Sequence, residues 1–266
     1  MLSLHTICTR YSNLLGDIRV AKESGYAALE PTTHKLERYL DAGYEIEDLL
    51  PALGLLKVDM VSSFEPIERQ DRVIMKHRCQ RLCQAAQTIG CSTFQVVALD
   101  GLKHLPWSHM RQEFAALLGE LADIAAPFGV HLALEPVAFA PLRTLAHALE
   151  VIDAAERDNI GLNIDTFHMW AGGTPWEQIA RLDPRKILVV HISDATPHQG
   201  AEWSDTDRGV LPGDGIIPLR EGIAAIRSTG FDGAWAIEMM SDYYWEWDPF
   251  VLAQTAKSRA EALLAA

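Results

Sequence analysis

The feature that most constrains the fold is a regular alternation of short apolar runs with longer segments of helical periodicity. The short runs have the length and composition of strands, and glycine, proline or polar turns separate them from the longer segments. Strands are predicted at residues 2–7, 26–30, 58–62, 93–98, 131–134, 160–164, 187–190 and 234–237. Helices are predicted at residues 17–24, 45–53, 71–89, 108–126, 144–156, from 174 onward, 219–229 and 249–264.

This alternation predicts a parallel sheet with right-handed crossovers. Eight such units in a chain of 266 residues favour closure into a (β/α)8 TIM barrel, a fold that typically occupies about 250 residues. The first strand is not followed by the Gly-x-Gly-x-x-Gly turn of dinucleotide-binding folds, which argues against an open doubly wound sheet. Because the sequence contains no linker or low-complexity tract, we expect residues 1–266 to form one α/β barrel domain.

Each of the last four predicted strands runs into a side chain that can bind a metal or transfer a proton: Glu135, Asp165, His191 and Glu238. Catalytic groups of TIM barrels come from the carboxyl ends of several strands, so these side chains should converge at one side of the barrel mouth. Three carboxylates and one imidazole suit Mn²⁺ or Mg²⁺, with Zn²⁺ or Co²⁺ as alternatives. The competing interpretation is four polar caps over the core, although uncompensated carboxylates packed together would repel one another.

Asp165 is followed three residues later by His168, in a segment predicted to be the next loop. This pair fits metal or acid/base chemistry, but it also fits an aspartate that caps a turn beside a packed histidine. His5 and His34 lie near the ends of the first two strands, where packed or exposed positions suit them better than ligand positions. Five aromatic loop residues are candidates for the wall of a polyol pocket: Phe64, Phe139, Trp170, Trp203 and Tyr243.

Charge and cysteine content exclude several classes of protein. The net charge is −13, from 36 acidic and 23 basic residues, and an acidic chain repels nucleic-acid phosphates and anionic membranes. The four cysteines show neither Cys-x-x-Cys spacing nor a zinc-finger pattern with histidines, which predicts free thiols in a reducing compartment. A secretory signal and an apolar run of roughly 18 residues are both missing, so we expect a soluble, cytoplasmic protein.

Short motifs stand in a characteristic order along the chain: Gly25-Tyr26 to Glu30, Leu134-Glu135-Pro136, Asp165-x-x-His168 with Gly172-Gly173, His191-Ile192-Ser193-Asp194, Arg208 with Leu211-Pro212-Gly213-Asp214-Gly215, and Ile237-Glu238. In this order and spacing they resemble those of the sugar phosphate isomerase/epimerase superfamily, whose members have a xylose-isomerase-like barrel. The superfamily includes ketose 3-epimerases, hydroxypyruvate isomerases, and inosose isomerases and dehydratases. The resemblance extends over nearly the whole chain.

The resemblance implies one divalent metal bound by four side chains: Glu135, Asp165, His191 and Glu238. It also implies that Glu135 and Glu238 act as an acid/base pair on opposite sides of the substrate, while His168 and Arg208 contact substrate oxygens. Such a site supports isomerisation or epimerisation of a keto-sugar, inosose or related hydroxy-carbonyl compound through an enediolate. A dehydratase acting on a keto-polyol or a dehydroshikimate-like acid uses the same intermediate, so it stays open as an alternative.

Two further alternatives have less support. The superfamily also contains endonuclease IV-like enzymes with three zinc ions, which need extra histidines after the third and fourth strands and an Asp-x-His in a later loop. Here those positions carry Ser62-Ser63-Phe64, Val97-Ala98-Leu99 and Asp207-Arg208-Gly209. A sugar-binding barrel without activity would leave the two glutamates without a role. The sequence shows no basic cluster near the site, which favours an unphosphorylated small-molecule substrate, and Trp203 and residues 243–247 are compatible with a homo-oligomer interface.

Overall fold

The computed structural model describes residues 1–197, 200 and 202–265. Parallel strands form its centre: β1 (Leu2–His5), β2 (Ala28–Glu30), β3 (Lys57–Val58), β4 (Val61–Phe64), β5 (Thr93–Val97), β6 (His131–Glu135), β7 (Ile160–Asp165), β8 (Ile187–Ile192) and β9 (Ala234–Ile237). The α-helices are α1 (Leu14–Glu23), α2 (Thr33–Asp41), α3 (Leu50–Leu53), α4 (Arg72–Thr88), α5 (Trp107–Ala125), α6 (Leu145–Ala155), α7 (Thr166–Ala171), α8 (Trp176–Ile179), α9 (Leu219–Ser228), α10 (Asp242–Trp245) and α11 (Pro249–Leu264).

The sheet closes on itself through the third barrel position, which two short strands share. β3 pairs with β2, and β4 pairs with β5. Between them, an isolated parallel bridge joins Thr32 to Ser62, and the Ser62 N–H donates to the carbonyl of Pro31 at 3.0 Å. On the other side of the barrel, β1 pairs with β9. The predicted TIM barrel is therefore confirmed, and the strand predicted at residues 58–62 is divided in two.

Alternation along the strands decides which side chains enter the barrel, because successive residues point to opposite faces. Leu132 and Leu134 belong to the large apolar core between sheet and helices, whereas Ala133 belongs to a separate buried cluster. The members of that cluster are Met60, Ala133, Val189, Ala234 and Ala236. Ala133, Val189 and Ala236 each precede a proposed site residue by two positions, so the small cluster lies beneath the site at the carboxyl ends of the strands.

Two helices differ from the sequence-based expectation. The polar segment after Pro31 forms α2, whose N-cap Thr32 accepts from the Lys35 N–H. His168 lies within α7 rather than in a loop, because α7 begins directly after β7 with Asp165 as its N-cap. Residues 33–41 carry a short apolar stripe at Leu36, Tyr39 and Leu40, which packs on the core. Because this stripe spans little more than one turn, the N-cap at Thr32 also supports the helix.

Two other expectations can be compared with the structure. All four cysteines lie within the described ranges, and each is buried and unbridged. Of the helices within those ranges, none combines the length and hydropathy needed to cross a membrane.

Candidate metal centre and active site

The structure brings Glu135, Asp165, His191 and Glu238 together at the carboxyl end of the barrel. One ligand atom from each of the four lies within 4.8 Å of the others, and all four residues are buried. His191 Nδ1 lies at the centre of the group, 2.9 Å from Glu238 Oε2, 3.4 Å from Glu135 Oε1 and 3.9 Å from Asp165 Oδ2. Asp165 and His191 are register partners in β7 and β8, so neighbouring strands present these two side chains at one level.

Asp165 caps a helix with one carboxylate oxygen and faces the candidate site with the other. Its Oδ1 accepts the backbone N–H of His168 at 2.9 Å and so caps α7. Its Oδ2 accepts from Ser193 Oγ at 2.7 Å and lies 3.5 Å from the Arg208 guanidinium. A carboxylate can satisfy a helix N-terminus with one oxygen and face a site with the other. The capping interpretation and the functional interpretation are therefore compatible.

His168 lines the cavity above the four side chains with a fixed ring orientation. Its Nδ1 accepts the backbone N–H of Ala138 at 3.2 Å, which leaves Nε2 to carry the proton in the neutral ring. Burial, together with the nearby positive charge of Arg208, holds the pKa of His168 well below its usual value. His168 is thus a neutral hydrogen-bond donor at the cavity wall.

Arg208 is buried and already engaged with carboxylates. Its guanidinium donates to Glu238 Oε2 and, at 2.8 Å, to Asp205 Oδ1. Burial alone would lower its pKa, but Glu238 and Asp205 outweigh that effect and hold the pKa of Arg208 well above its usual value. Arg208 also lines the cavity, so its position permits both a contact with substrate and the orientation of Glu238.

The two glutamates have opposite electrostatic environments. Burial raises the pKa of Glu135 to about 8. Burial also acts on Glu238, but the positive charge of Arg208, followed by His5 and His191, holds the pKa of Glu238 well below its usual value. Carboxyl groups whose pKa values are displaced in opposite directions are a common arrangement for paired acid and base catalysis.

The cavity at this end of the barrel has a volume of about 700 Å³, and Glu135, Glu238, His168 and Arg208 all line it. Of the five aromatic residues proposed as wall residues, Phe139 lines the cavity. Phe64 packs against Phe94 in the core, Trp170 packs against Trp203, and Tyr243 is 69% exposed. The pocket wall is therefore less aromatic than the loops of the sequence suggest.

Basic side chains also surround the cavity, contrary to the expectation of no basic cluster near the site. Lys35 and Arg78 line it but are paired with carboxylates, at 2.7 Å from Asp17 and 2.6 Å from Glu37 respectively. Arg10 and Arg38 line it as well, and neither forms an ion pair with any residue in the described ranges. Folding brings these side chains together from β1–α1, α2 and α4, so their grouping is not visible in the sequence.

Three more buried residues complete the site, and sequence reasoning did not assign them a role. Asn163 precedes Asp165 by two residues on the same face of β7, and its Nδ2 donates to Glu135 Oε1 at 2.7 Å. Glu30 Oε1 lies 3.0 Å from His191 Nε2 and 3.2 Å from His5 Nε2. His5 and Glu30 end β1 and β2. The criterion of ligands at strand ends, extended to the second strand, would have identified Glu30, whereas the first strand was predicted to continue to Ile7.

The donor set fits a divalent cation. Four buried acidic side chains surround His191, at Glu30, Glu135, Asp165 and Glu238. Among the residues that the structure describes, Arg208 is the one lysine or arginine within ion-pair distance of any of them. Buried carboxylates in such excess require either protons or a cation. Burial raises the pKa of Asp165 as well as that of Glu135, so a metal ion would replace protons at these oxygens.

Comparison with known proteins agrees with this geometry. The family model described as Xylose isomerase-like TIM barrel matches residues 18–263. The chain belongs to the Xylose isomerase-like TIM barrel family. The sugar phosphate isomerase/epimerase superfamily, indicated by the motifs, is thereby confirmed.

Three proteins similar to this chain differ in the names or ligands given to them. An inosose isomerase of Bacillus velezensis is 28% identical over 261 residues, which cover 95% of this chain and 92% of that protein. A crystal structure of the IOLI protein with a binding zinc atom superposes with a TM-score of 0.92 at 27% identity, over 99% of this chain and 98% of that one. A 3-dehydroshikimate dehydratase of Pseudomonas aeruginosa is 26% identical over 227 residues, 82% of this chain but 35% of that protein.

Together with its family membership, these likenesses identify the chain as an enzyme of the sugar isomerase and epimerase type. The carboxylate and histidine group at the carboxyl end of the barrel and the zinc atom bound by the similar IOLI structure both support metal binding by this chain.

Proposed function

We propose that the enzyme is a divalent-metal-dependent isomerase or epimerase that acts on an inosose or a related keto-polyol. The observation that carries this proposal is the placement of Glu135 and Glu238 in one buried group beside the cavity. Glu135 ends β6 and Glu238 follows β9, so β7 and β8 lie between them. The two carboxyl groups therefore approach a bound substrate from different sides. The similarity to inosose isomerases over nearly the whole chain supports the substrate class.

Four side chains would hold the metal ion: Glu135, Asp165, His191 and Glu238. Their oxygen-rich character suits Mn²⁺ or Mg²⁺, while the imidazole also suits Zn²⁺ or Co²⁺. Zinc in the similar IOLI structure makes Zn²⁺ the first ion to test. When bound, the ion would supply the electrophile that polarises a substrate carbonyl and acidifies the adjacent C–H bond.

The side chains of this protein then carry the proton. One glutamate removes the proton next to the carbonyl, and the substrate becomes an enediolate. Return of the proton to the neighbouring carbon, while the hydroxyl proton passes to the former carbonyl oxygen, gives the isomer. Return by the other glutamate to the opposite face of the original carbon gives the epimer. The His168 Nε2–H donates to a substrate oxygen, and Arg208 orients the Glu238 carboxylate while it contacts a second oxygen.

The experiment that tests this proposal is proton NMR in D₂O of the Zn²⁺-, Mn²⁺- or Mg²⁺-loaded enzyme with inososes, ketoses and hydroxypyruvate. Deuterium at the carbon next to the carbonyl, with an isomer or epimer accumulating, is the expected result for an inosose or ketose. Removal of the metal with a chelator should abolish the exchange, and added metal should restore it. An absence of exchange with every substrate would contradict the proposal.

A specific observation favours one second candidate, a dehydratase of a keto-acid. Arg10 and Arg38 line the cavity without an ion-pair partner among the described residues, and an arginine fork binds a carboxylate well. Loss of a β-hydroxyl from the enediolate would give the dehydrated product. The similarity to a 3-dehydroshikimate dehydratase gives a substrate to include in the NMR panel. Release of water with a new olefinic signal would select this activity.

Arg208→Ala should lower kcat/KM by about 10- to 100-fold, which corresponds to a loss of roughly 1.4 to 2.7 kcal/mol of transition-state stabilisation. The variant should bind as much metal as the wild type. The reason is that Arg208 contacts Glu238 and lines the cavity but is not one of the four proposed ligands. Steady-state kinetics and elemental analysis of the same sample check this. Arg185→Ala is the matched control, because Arg185 is 88% exposed and pairs with Asp183 at the opposite end of β8. Loss of the metal from Arg208→Ala would contradict the division of roles.

A further inference from the structure

His191 uses both of its ring nitrogens, and they face different partners. Nδ1 faces the proposed metal ligands, 2.9 Å from Glu238 Oε2 and 3.4 Å from Glu135 Oε1. Nε2 faces away from the group and lies 3.0 Å from Glu30 Oε1. His191 and Glu30 both have 0% exposure, so bulk solvent does not reach this contact.

This arrangement determines which nitrogen would keep its proton when a metal ion binds. A neutral imidazole has one nitrogen that donates a hydrogen bond and one that accepts. Glu30 does not offer a proton when it is ionised, so its carboxylate stabilises the tautomer with hydrogen on Nε2. Nδ1 is then the nitrogen that faces the oxygens of Glu135 and Glu238, and its lone pair would become available to a cation that displaces the Nδ1 proton. We propose that Glu30 is a positioning residue that holds His191 in the tautomer and ring orientation needed to bind a divalent metal, an inference that rests on the metal site proposed above.

Glu30 is itself held in place by the first barrel strand. His5 Nδ1 accepts the backbone N–H of Ile7 at 3.0 Å, which places the His5 proton on Nε2. That nitrogen lies 3.2 Å from Glu30 Oε1 and 2.8 Å from Ser62 Oγ. His5 and Glu30 are register partners in β1 and β2, and the rings of His5 and His191 are nearly perpendicular, at 79°. Glu30 Oε1 thus lies between two buried imidazoles of fixed orientation.

A different role for the same residues would be a second metal site formed by His5, Glu30 and His191, whose ligand atoms also lie within 4.8 Å of one another. Two ions on one imidazole would require both ring nitrogens of His191 to lose their protons. The hydrogen-bonded arrangement needs no such loss, and a carboxylate that accepts from a metal-bound histidine is a common way to orient that ligand. The positioning role is therefore favoured, and the number of bound ions distinguishes the two.

Asp59 provides a matched control. It is a second buried carboxylate inside the barrel, and Ser3 Oγ donates to its Oδ1 at 2.7 Å. Like Glu30, it has one carboxylate oxygen without a hydrogen-bond partner among the described residues. Unlike Glu30, it does not lie within ion-pair distance of an imidazole nitrogen of any described residue. Asp59→Asn therefore tests the general effect of altering a buried carboxyl group near the site.

The decisive experiment measures Zn²⁺ binding at one pH by competition with a chromophoric chelator, with bound zinc counted by elemental analysis. Wild-type protein should bind one equivalent. Glu30→Ala should also bind one, about 10- to 100-fold more weakly, and Asp59→Asn should bind as the wild type does. Glu30→Gln keeps the size of the side chain, so it replaces Glu30→Ala in this measurement if Glu30→Ala does not fold. It should also weaken binding, because its amide can donate to Nε2 and favour the wrong tautomer.

A double-mutant comparison shows whether Glu30 acts through His191. In the His191→Ala background, adding Glu30→Ala should weaken the remaining zinc binding by less than about threefold, because the ring that it positions is gone. Equal losses in both backgrounds would overturn the proposal, as would unchanged zinc affinity in both Glu30 variants. If the wild type binds two equivalents of zinc and Glu30→Ala binds one, Glu30 is instead a ligand of a second metal ion. Wild-type protein that binds no zinc, manganese or magnesium would overturn the metal-dependent function itself.

Discussion

Glu135→Gln and Glu238→Gln should each lower kcat by roughly 10²- to 10⁴-fold or more, because a carboxamide cannot accept or return the substrate proton. Both side chains are buried beside the cavity, so bulk water cannot readily replace them. Each variant also removes one negative charge from the proposed ligand group. Steady-state rates with the substrate found by NMR give the size of the effect, and elemental analysis shows whether metal is retained.

Exchange experiments in D₂O separate proton transfer from metal loss. If one glutamate removes the proton and the other returns it, one variant should still exchange the substrate C–H while forming little product. The other variant should lose both exchange and turnover. Glu113→Gln, at an exposed position on α5, is the matched control and should behave as the wild type. Near-normal turnover in either metal-loaded site variant would refute the acid/base pair.

Asp165→Ala and His191→Ala should weaken divalent-metal binding by more than about a hundredfold, since loss of a direct ligand exceeds the 10- to 100-fold effect of its outer partners. Turnover should fall in parallel. Isothermal titration or chelator competition with Zn²⁺ and Mn²⁺ measures the affinity, and added metal should partly restore the rate. Unchanged metal content in either variant would contradict the proposed ligand set.

The two functions of Asp165 can be separated by a second substitution. Asp165→Asn keeps an oxygen that can accept the His168 N–H and cap α7, but it removes the charge that faces Arg208 and Ser193. Both variants should therefore bind metal more weakly. Only Asp165→Ala should also lose the helix cap, which lowers the free energy of unfolding by about 1 kcal/mol. Thermal unfolding of the two variants without added metal provides this comparison.

Much of the site could be predicted because it depends on local pattern. A strand that ends in an acidic residue or a histidine presents that side chain at the barrel mouth, and Glu135, Asp165 and His191 each end or nearly end a strand. Register between neighbouring strands then aligns them, as for Asp165 and His191. The same alternation places Asn163 two residues below Asp165, although its hydrogen bond to Glu135 depends on the distance between β6 and β7.

Features that depend on helix packing and loop position could not be predicted in this way. The helical state of residues 33–41 and the position of His168 within α7 rest on N-caps at Thr32 and Asp165 that act only when the preceding strands are in place. Arg10, Arg38 and Arg78 meet at one cavity although they come from three different segments. Such a group of arginines cannot be recognised in the sequence, because local periodicity does not determine which loops and helices contact one another.

The amino-acid sequence by itself determined the order of strands and helices, and hence the barrel, since eight repeated units with buried strands have few other ways to cover both faces of a parallel sheet. It also determined which strand ends carry ligands. Only the tertiary structure decided that His5 and Glu30 lie beside a histidine that follows Glu30 by 161 residues. The distances between side chains on separate strands are a property of the whole sheet, because they depend on the twist and stagger of all its strands together.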